Sequence, residues 1–247
     1  CGDVGDGRLP EPWDICQAVE AALTQKDLQG LRVLVTAGPP QEPVDPVRSL
    51  TNHSTGKMGF ALAKRAALRG AQVTLVAGPV HLQTPYGVQR VDVTTAREMY
   101  EAVVDRFPQM DVTIKAAAVA DFRPATVASE KIKKSHQEES SLLLERTDDI
   151  LAALGRQKGP GQVLCGFSME TEHLLENSQR KRQAKQADLM VANSLRQEGA
   201  GFGTDTNLVT ILSDQGQEEL PLLSKEELAD RILDRCMACY RDKNPRP

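Results

Sequence analysis

From residue 30 onward, segments typical of buried β-strands alternate with amphipathic helical segments. Strands are predicted in LRVLVTAG (31–38), AQVTLVAGP, VQRVDV (88–93), MDVTIKAAAVA (110–120), SLLLER, GQVLCGFS, ADLMVANS and NLVTILSD. Helices are predicted at about 57–69, in AREMYEAVVDRF and DDILAALGRQ, at about 172–186 and at 225–241. This alternation predicts an α/β fold, a sandwich of helices around a mostly parallel sheet.

In open sheets of this kind, ligands bind beyond the carboxyl ends of the strands. The loops expected to form a site are therefore 38–55, 118–134, 167–171 and the chain after residue 193. Residues 124–140 and 194–206 have no regular pattern, and we predict that they are mobile loops or lids.

The loop TNHSTGKMG (51–59) opens a helix with small residues and a lysine, which is a favourable place for an anion. It matches neither common phosphate fingerprint: two prolines follow Gly38, and Thr51 occupies the position where a P-loop needs its first glycine. No tyrosine has the lysine partner of a short-chain reductase, so a standard NAD(P) enzyme is disfavoured. The alternative is a simple helix cap, in which Ser54 or Thr55 accepts from backbone amides.

Three further stretches have residues suited to a nucleotide site. In KAAAVADFRP the alanines allow close approach of a ligand to the backbone, and Asp121 can accept hydrogen bonds, although tight packing under a helix explains the alanines equally well. The lysines of EKIKK could offset the charge of a triphosphate, or could be ordinary surface charge. Lys181 and Lys185 share a helix face at i, i+4, where like charges repel unless an anion joins them.

Composition excludes several classes of function. The net charge of −4 disfavours non-specific nucleic-acid binding, and no apolar run approaches the roughly 20 residues that span a bilayer. No secretory leader is recognisable, so a cytoplasmic protein without membrane association is expected. Five irregularly spaced cysteines argue against a disulfide framework, and the single C-x-x-C at 236–239 is weak evidence for zinc.

Five blocks occur in order along the chain: VTAGPPQEPVDPVRSLTNHSTGKMG, KAAAVADFRP, EKIKK, GFSMET and DLMVANS. Through them, residues from about 30 to 242 resemble phosphopantothenoylcysteine synthetase, the second half of the bacterial bifunctional coenzyme A enzyme. The resemblance implies a Rossmann-like three-layer sandwich and a homodimer. It also implies a ligase that joins 4'-phosphopantothenate to L-cysteine through an acyl-cytidylate, using CTP with Mg²⁺ and releasing CMP and pyrophosphate.

The resemblance also implies roles for individual residues. Lys131 should neutralise charge during activation, and Asn52 should position the pantothenoyl carbonyl. Arg48 and Lys57, with Asn52 and Ala118, are expected to bind phosphopantothenate. The hypothesis is that Arg48 and Lys57 contact its phosphate across the dimer interface. The residues expected to contact the nucleotide are Ala116, Ala117, Ala118, Asp121, Lys131, Asp148, Asp149, Ile150, Leu151, Phe167, Lys181 and Lys185.

The sequence departs from the family pattern in the turn before Ile150, where Thr147-Asp148 replaces Asn-Pro, and in GFSMET, which is commonly richer in alanine. Residues 1–29 are predicted to be the end of the preceding flavin-dependent decarboxylase plus a linker, with the ligase domain at 30–247. Cys1 falls where that half has its proton-donor cysteine. FMN would belong only to the missing decarboxylase half, and that domain is expected to be covalently linked to this one in the full-length protein.

Two other functions are compatible with a Rossmann-like chain. The first is an NAD(P)-dependent reductase, against which the missing fingerprints argue. The second is a non-catalytic module that binds a nucleotide or docks a flavoprotein. Such a module would bind CTP without releasing pyrophosphate, whereas the presence of both Asn52 and Lys131 favours catalysis.

Overall fold

The computed structural model describes residue 7 and residues 9–133, 141–170, 172–194 and 203–245. Within these ranges the helices are α1 (Pro12–Leu23), α2 (Lys57–Leu68), α3 (Ala96–Arg106), α4 (Ile150–Gln157), α5 (Leu174–Ala184) and α6 (Lys225–Lys243). The strands are β1 (Arg32–Ala37), β2 (Gln41–Pro43), β3 (Ser49–Thr51), β4 (Gln72–Ala77), β5 (Val88–Asp92), β6 (Val112–Lys115), β7 (Phe122–Pro124), β8 (Leu144–Arg146), β9 (Val163–Glu170), β10 (Leu189–Ser194), β11 (Thr206–Asn207), β12 (Val209–Ser213), β13 (Gly216–Glu219) and β14 (Leu223–Ser224).

An eight-stranded sheet forms the centre of the fold, in the order β13-β12-β10-β9-β6-β1-β4-β5. The strands from β10 to β5 pair in parallel, and β12 and β13 add an antiparallel edge. A turn at Gln215-Gly216 connects those two edge strands. The predicted α/β fold with a mostly parallel sheet is therefore confirmed.

Helices cover both faces of the sheet because consecutive residues of the buried strands, which point to opposite faces, are apolar. On β1, Val33 and Val35 pack in a core with Leu62 of α2 and Leu228 of α6. Leu34 points to the opposite face, where a second core contains residues of α3 and α4. These two cores produce the expected three-layer sandwich.

The direction of winding reverses at β1, which pairs with β4 on one side and with β6 on the other. A crevice therefore opens between the carboxyl ends of β1 and β6, where open α/β sheets bind their ligands. Helix α2 lies unusually close to this edge: a Cβ on Gly59 would be 2.5 Å from the Cβ of Ala37. Gly38 and Gly56 have φ angles of 74° and 79°, which favour glycine at both turns.

Two segments differ from the prediction. Residues 39–55 were expected to be loop, yet they contain the antiparallel hairpin β2–β3, in which Gln41 pairs with Thr51. SLLLER was expected within the alternating α/β pattern, but its strand β8 pairs with β7 in a separate two-stranded sheet. The residues of β8 are exposed, so its apolar character does not place it in the main core.

The β2–β3 hairpin, β7, β8 and residues 125–133 together form a projection that we call the arm. Its two parts are joined where the Ala128 amide donates to the carbonyl of Val44 at 3.0 Å. Part of the predicted loop at 124–140 thus belongs to the arm, whereas 134–140 and 195–202 lie outside the described residues.

Helix α1 packs on the outer side of α2, where Arg65 donates to Glu20 at 3.2 Å. The N-cap of α3 is Thr95, whose hydroxyl accepts from the Glu98 amide. No helix within the described ranges is both long and apolar enough to cross a bilayer.

Candidate active site

The floor of the crevice is the alanine segment that follows β6. The Ala117 amide donates to the Thr36 hydroxyl at 3.1 Å, and the Ala118 amide donates to the carbonyl of Gly38, also at 3.1 Å. The Asn52 side-chain amide donates in turn to the carbonyl of Ala118 at 3.0 Å. The 51–59 loop is thereby fixed over a segment whose methyl side chains leave room for a ligand.

A cavity of about 400 Å³ lies between this floor and the start of α2. We call it the asparagine cavity, because Asn52, Asn193 and Asn207 all line it. Of the residues predicted to form the site, it brings together Asn52, Lys57, Ala116, Ala117, Ala118, Asp121, Phe167 and Lys181.

Helix α2 begins differently from the simple cap considered from the sequence. Its N-cap residue is Gly56, which has no side chain to accept a hydrogen bond. Ser54 accepts from the Gly56 amide at 3.3 Å, which closes the turn before the helix instead of capping it. Capping by Ser54 therefore does not account for the 51–59 loop.

A second cavity, of about 370 Å³, opens beside the start of α4. We call it the aspartate cavity, because Asp148 and Asp149 line it together with Ile150 and Leu151. Its boundary with the asparagine cavity is formed by residues that line both, namely Lys115, Val119, Asp121, Phe167 and Lys181. The two cavities therefore meet at a wall that carries two lysines and one aspartate.

Each aspartate of the α4 turn has a basic partner. Arg97 of α3 donates to Asp148 at 3.0 Å. Asp149 is the N-cap of α4, where it accepts from the Ala152 amide at 2.9 Å and from Lys185. Burial alone would raise the pKa of Asp149, but the hydrogen bonds from Lys185 and Ala152 outweigh burial and lower it. Asp149 therefore holds Lys185 at the side of the aspartate cavity.

Thr147 stands where the family pattern has asparagine, and it makes two bonds to the loop after β6. Its hydroxyl donates to the carbonyl of Ala120 at 2.6 Å, and its amide donates to the carbonyl of Asp121 at 3.0 Å. These bonds connect the α4 turn to the wall between the cavities, so the departure from the family pattern still leaves an ordered turn.

The two lysines of the shared wall lie on different elements, Lys115 at the end of β6 and Lys181 on α5. Both are partly buried, and in the described part of the chain neither forms an ion pair with a carboxylate. Burial, followed by repulsion from Lys181, lowers the pKa of Lys115 to about 8. A partly buried positive charge without a direct ion-pair partner favours binding of an anion.

Lys57, at the start of α2, lies at the edge of the asparagine cavity. Its ammonium donates to Asp205 at 2.7 Å and to the carbonyl of Gly203 at 3.3 Å. Lys57 therefore joins α2 to the segment after residue 202, and an anionic ligand would compete with Asp205 for it.

Arg48 and Lys131 lie on the arm, and they line neither cavity. Arg48 donates to Asp45 and to the carbonyl of Ile132 at 3.0 Å. This guanidinium holds the pKa of Asp45 well below its usual value, and Asp45 also accepts from the Ile132 amide at 3.1 Å. The Arg48–Asp45 pair thus anchors the lysine-rich segment that contains the exposed Lys131.

Several lining residues were missed by the sequence analysis, above all Lys115, Asn193 and Asn207. Lys115 is a charged residue at the end of a buried apolar strand. That position in the sequence could have indicated that it lines the site. The side-chain oxygens of Asn193 and Asn207 are buried without a hydrogen-bond partner in the described part of the protein. Cys1, the predicted decarboxylase remnant, lies outside the described residues.

Comparison with known proteins places these features in a family. The family described as DNA/pantothenate metabolism flavoprotein C-terminal domain matches residues 28–240. The chain is 44% identical over 249 residues to the Coenzyme A biosynthesis bifunctional protein CoaBC of Escherichia coli. The aligned residues cover 100% of this chain and 61% of that protein. It is 45% identical over 251 residues to the protein of the same name from Bacillus subtilis, with the same coverage of 100% and 61%.

The chain thus spans about three-fifths of the length of the curated relatives that it matches. Among solved structures, the C-terminal domain of Coenzyme A biosynthesis bifunctional protein CoaBC is 42% identical and superposes with a TM-score of 0.75. That match covers 88% of this chain and 100% of the solved one.

Proposed function

The chain belongs to the DNA/pantothenate metabolism flavoprotein C-terminal domain family, and we propose on this premise that it is a phosphopantothenate–cysteine ligase of coenzyme A biosynthesis. The proposed co-substrate is CTP. The carboxylate of 4'-phosphopantothenate is converted to an acyl-cytidylate, which L-cysteine then turns into 4'-phosphopantothenoylcysteine.

The observation that carries this proposal is the wall shared by the two cavities. A ligase that activates an acid must bring a carboxylate oxygen within bonding distance of the α-phosphorus of a nucleotide. We assign phosphopantothenate to the asparagine cavity and the nucleotide to the aspartate cavity, from which it extends past the shared wall to Ala116 and Ala117. Their ligands would meet beside Lys115, Lys181 and Asp121, where positive charge offsets the negative charge of both reactants.

In the first step, an oxygen of the carboxylate forms a bond to the α-phosphorus of CTP, and the bond from that phosphorus to the pyrophosphate oxygen breaks. A carboxylate resists attack by an amine, and this exchange provides it with CMP as a leaving group. Lys131 is proposed to neutralise charge on the phosphates, and Lys181 and Lys185 to bind them. Ala116, Ala117, Phe167 and the Asp148–Leu151 turn are proposed to enclose the nucleotide.

In the second step, the amino group of cysteine attacks the carbonyl carbon of the acyl-cytidylate. An amide bond forms, CMP departs with the electrons of the broken C–O bond, and the nitrogen loses a proton. Asn52 is proposed to position the carbonyl and to stabilise negative charge that develops on its oxygen. The bond from Asn52 to Ala118 supports this role, because it fixes the orientation of the side-chain amide at the crevice floor.

We infer that the arm forms a homodimer contact. Large apolar side chains are exposed along it, including Val47, Phe122, Val127, Ile132 and Leu144, the last of which is 43% exposed. Several exposed large apolar side chains in one region of a protein are typical of an interaction site. We propose that in this dimer Arg48 and Lys131 lie at the partner's cleft, where Arg48 binds the phosphate.

Magnesium is proposed to enter as the complex of CTP, since Mg²⁺ keeps several waters and is usually held through substrate phosphates with one or two carboxylates. We also propose that a flavin-dependent decarboxylase is covalently linked to this domain, with a domain boundary near residue 30. The proposed location is the cytoplasm. The relatives named bifunctional, of which this chain covers about three-fifths, support the linkage.

An NAD(P)-dependent reductase is disfavoured by the path of the chain after β1. A dinucleotide-binding turn leads directly from the first strand into a helix through closely spaced glycines. Here the chain passes from Gly38 through the β2–β3 hairpin and reaches α2 only at Lys57. The non-catalytic alternative is distinguished by experiment alone, because it predicts binding of CTP without pyrophosphate release.

The proposed function is tested by measuring pyrophosphate with CTP, phosphopantothenate and cysteine, omitting one substrate at a time. We expect a single-turnover burst of pyrophosphate without cysteine and sustained release with all three. Release that does not depend on phosphopantothenate would contradict acid activation, and ATP in place of CTP tests the choice of nucleotide. Binding of CTP without any release would favour the non-catalytic module.

A further inference from the structure

Lys115 is a partly buried lysine that the family motifs did not assign to any role. It is the last residue of β6, and its side chain reaches the wall between the asparagine and aspartate cavities. Its ammonium donates at 3.4 Å to the carbonyl of Ala117. The adjacent strands place Thr36 of β1 and Gly166 of β9 beside it, and neither titrates.

The charged groups that act on Lys115 come from three other elements. Lys181 on α5 repels it, whereas Asp149 at the start of α4 and Asp121 in the loop after β6 attract it. Neither aspartate forms a direct ion pair with Lys115, and Asp149 instead accepts from Lys185. Two like charges on separate elements, both facing the same wall, are stabilised when an anion bridges them.

We propose that the Lys115 ammonium, beside Lys181, contacts the phosphoryl group that is transferred in the activation step. This inference rests on the proposed function and adds a residue to it. While the carboxylate oxygen bonds to the α-phosphorus and pyrophosphate leaves, the non-bridging oxygens of that phosphorus carry the negative charge. An ammonium at the junction of the cavities donates hydrogen bonds to those oxygens and stabilises the transition state.

The contact has a consequence for protons. In the free protein, burial and Lys181 lower the pKa of Lys115 to about 8, so part of the population is neutral at pH 8.5. An anion that bridges the two lysines favours the charged form. Binding of CTP at pH 8.5 should therefore take up a proton, and kcat/KM for CTP should fall as pH rises above about 8 because the free protein loses the charge.

Three variants separate this role from a structural one. Lys115→Met keeps the length of the side chain without the charge, and Lys115→Arg keeps a charge at every accessible pH. The control is Lys158→Met, because Lys158 is also a partly buried lysine but pairs with Asp188 at 2.9 Å near the amino end of β10. Removal of Lys158 should lower stability and leave the pH dependence of activity unchanged.

The first readout is the rate of pyrophosphate release without cysteine from pH 6.5 to 10. We expect Lys115→Met to be slower by about 10²–10³-fold and to show no further fall above pH 8. Lys115→Arg should keep its rate through the alkaline range in which the wild type declines. If Lys115→Met fails to fold, the alkaline arm of Lys115→Arg decides the question: a decline identical to that of the wild type overturns the proposal.

The second readout is calorimetric titration with CTP at pH 8.5 in two buffers of different ionisation enthalpy. The wild type should take up a fraction of a proton, and Lys115→Met should take up none. A wild type that releases no pyrophosphate overturns both the proposed function and this inference. Pyrophosphate release by the wild type, together with an unchanged rate, pH profile and proton uptake in Lys115→Met, overturns the inference alone.

Discussion

The side chain of Asn52 is bound to the backbone of Ala118: its amide donates to the Ala118 carbonyl at 3.0 Å. This bond joins the loop before α2 to the segment after β6, so residues 66 positions apart in sequence meet at one side of the crevice. The orientation of the Asn52 side chain depends on its own amide NH2 group. Replacing that group with a carboxylate oxygen changes the chemistry of the site more than its shape.

Asn52→Asp should separate the two half-reactions. A carboxylate of almost the same shape cannot donate to Ala118, and it repels negative charge that develops on the carbonyl during amide formation. We expect a pyrophosphate burst to be retained in part and amide formation to slow by about 10²–10³-fold. Quenched-flow measurement of pyrophosphate, the acyl-cytidylate and the amide product checks this.

The control is Asn244→Asp, which makes the same chemical change at an asparagine that donates to the carbonyl of Gly161 at 2.9 Å, away from both cavities. It should keep both half-reactions. Amide formation at the wild-type rate in Asn52→Asp would show that the asparagine has no part in the second step.

Arg48→Ala and Lys57→Ala should weaken the binding of phosphopantothenate, because each removes a cation proposed to contact its phosphate. A charge-assisted hydrogen bond contributes about 1.5–3 kcal/mol, so KM for phosphopantothenate should rise roughly tenfold or more. Steady-state kinetics at saturating CTP and cysteine measures this, and unchanged constants in both variants would exclude the role.

Mixing tests whether Arg48 acts on the partner's site. If it does, a mixed dimer of Arg48→Ala and Asn52→Asp chains contains one cleft with both residues intact, and activity should recover after subunit exchange. No recovery, in samples in which exchange has been demonstrated, would place Arg48 in the cleft of its own chain.

Gly59→Ala should destabilise the fold through the contact between α2 and β1. The added Cβ would lie 2.5 Å from the Cβ of Ala37 and 2.9 Å from the carbonyl oxygen of Thr36, so the helix must move. Overpacking of this kind costs about 1–3 kcal/mol. Chemical denaturation measures the loss, and Gly159→Ala, whose Cβ would meet only a glutamine side chain at 3.4 Å, is the matched control. Equal stabilities of the two variants would contradict the close packing.

Lys115→Met should stabilise the free protein at neutral pH. The pKa of Lys115 is lowered from 10.5 to about 8 in the folded state, so below pH 8 folding must bury a charged ammonium. Between pH 8 and 10.5 the unfolded chain holds a proton that the folded one has lost, and wild-type stability rises with pH. The advantage of the variant is at most about 3 kcal/mol near pH 7 and should shrink across that window.

Denaturation of both proteins at pH 7, 9 and 10.5 without nucleotide measures the difference. A variant that is less stable than the wild type at pH 7 would show that Lys115 supports the fold. The combination of higher stability and lower activity is the pattern expected of a residue retained for function.

The main sheet could be predicted from the sequence because its strands are short apolar runs that end at glycine or small residues. The arm could not be predicted. Strand β2 contains a proline, so it lacks the pattern of a buried strand. SLLLER was predicted as a strand, but β8 is exposed along its length and lies outside the main sheet. Their pairing depends on contacts between distant segments, such as the bond from Ala128 to Val44, which local sequence does not contain.

Sequence motifs indicated the parts of the candidate site in which the residue types are characteristic. Residues that belong to it only through their position in the fold were missed. The 51–59 loop and the alanine segment meet as expected, and the structure adds Lys115 to the wall that they share with the α4 turn. A lysine at the end of a strand has the same local pattern whether it reaches solvent or a cavity. The two cases are distinguished only by the placement of α5, whose Lys181 lines the same wall as Lys115.

The most direct test of acid activation is the amount of pyrophosphate released per site from CTP and phosphopantothenate without cysteine, compared between the wild type, Lys131→Gln and Lys133→Gln. The two variants remove the same charge from neighbouring positions on the arm, but only Lys131 is assigned to the phosphates. We predict about one pyrophosphate per site for the wild type and Lys133→Gln, and a loss of roughly 10²–10³-fold in rate for Lys131→Gln. Absence of phosphopantothenate-dependent release from the wild type, or equal bursts in all three proteins, would contradict this account.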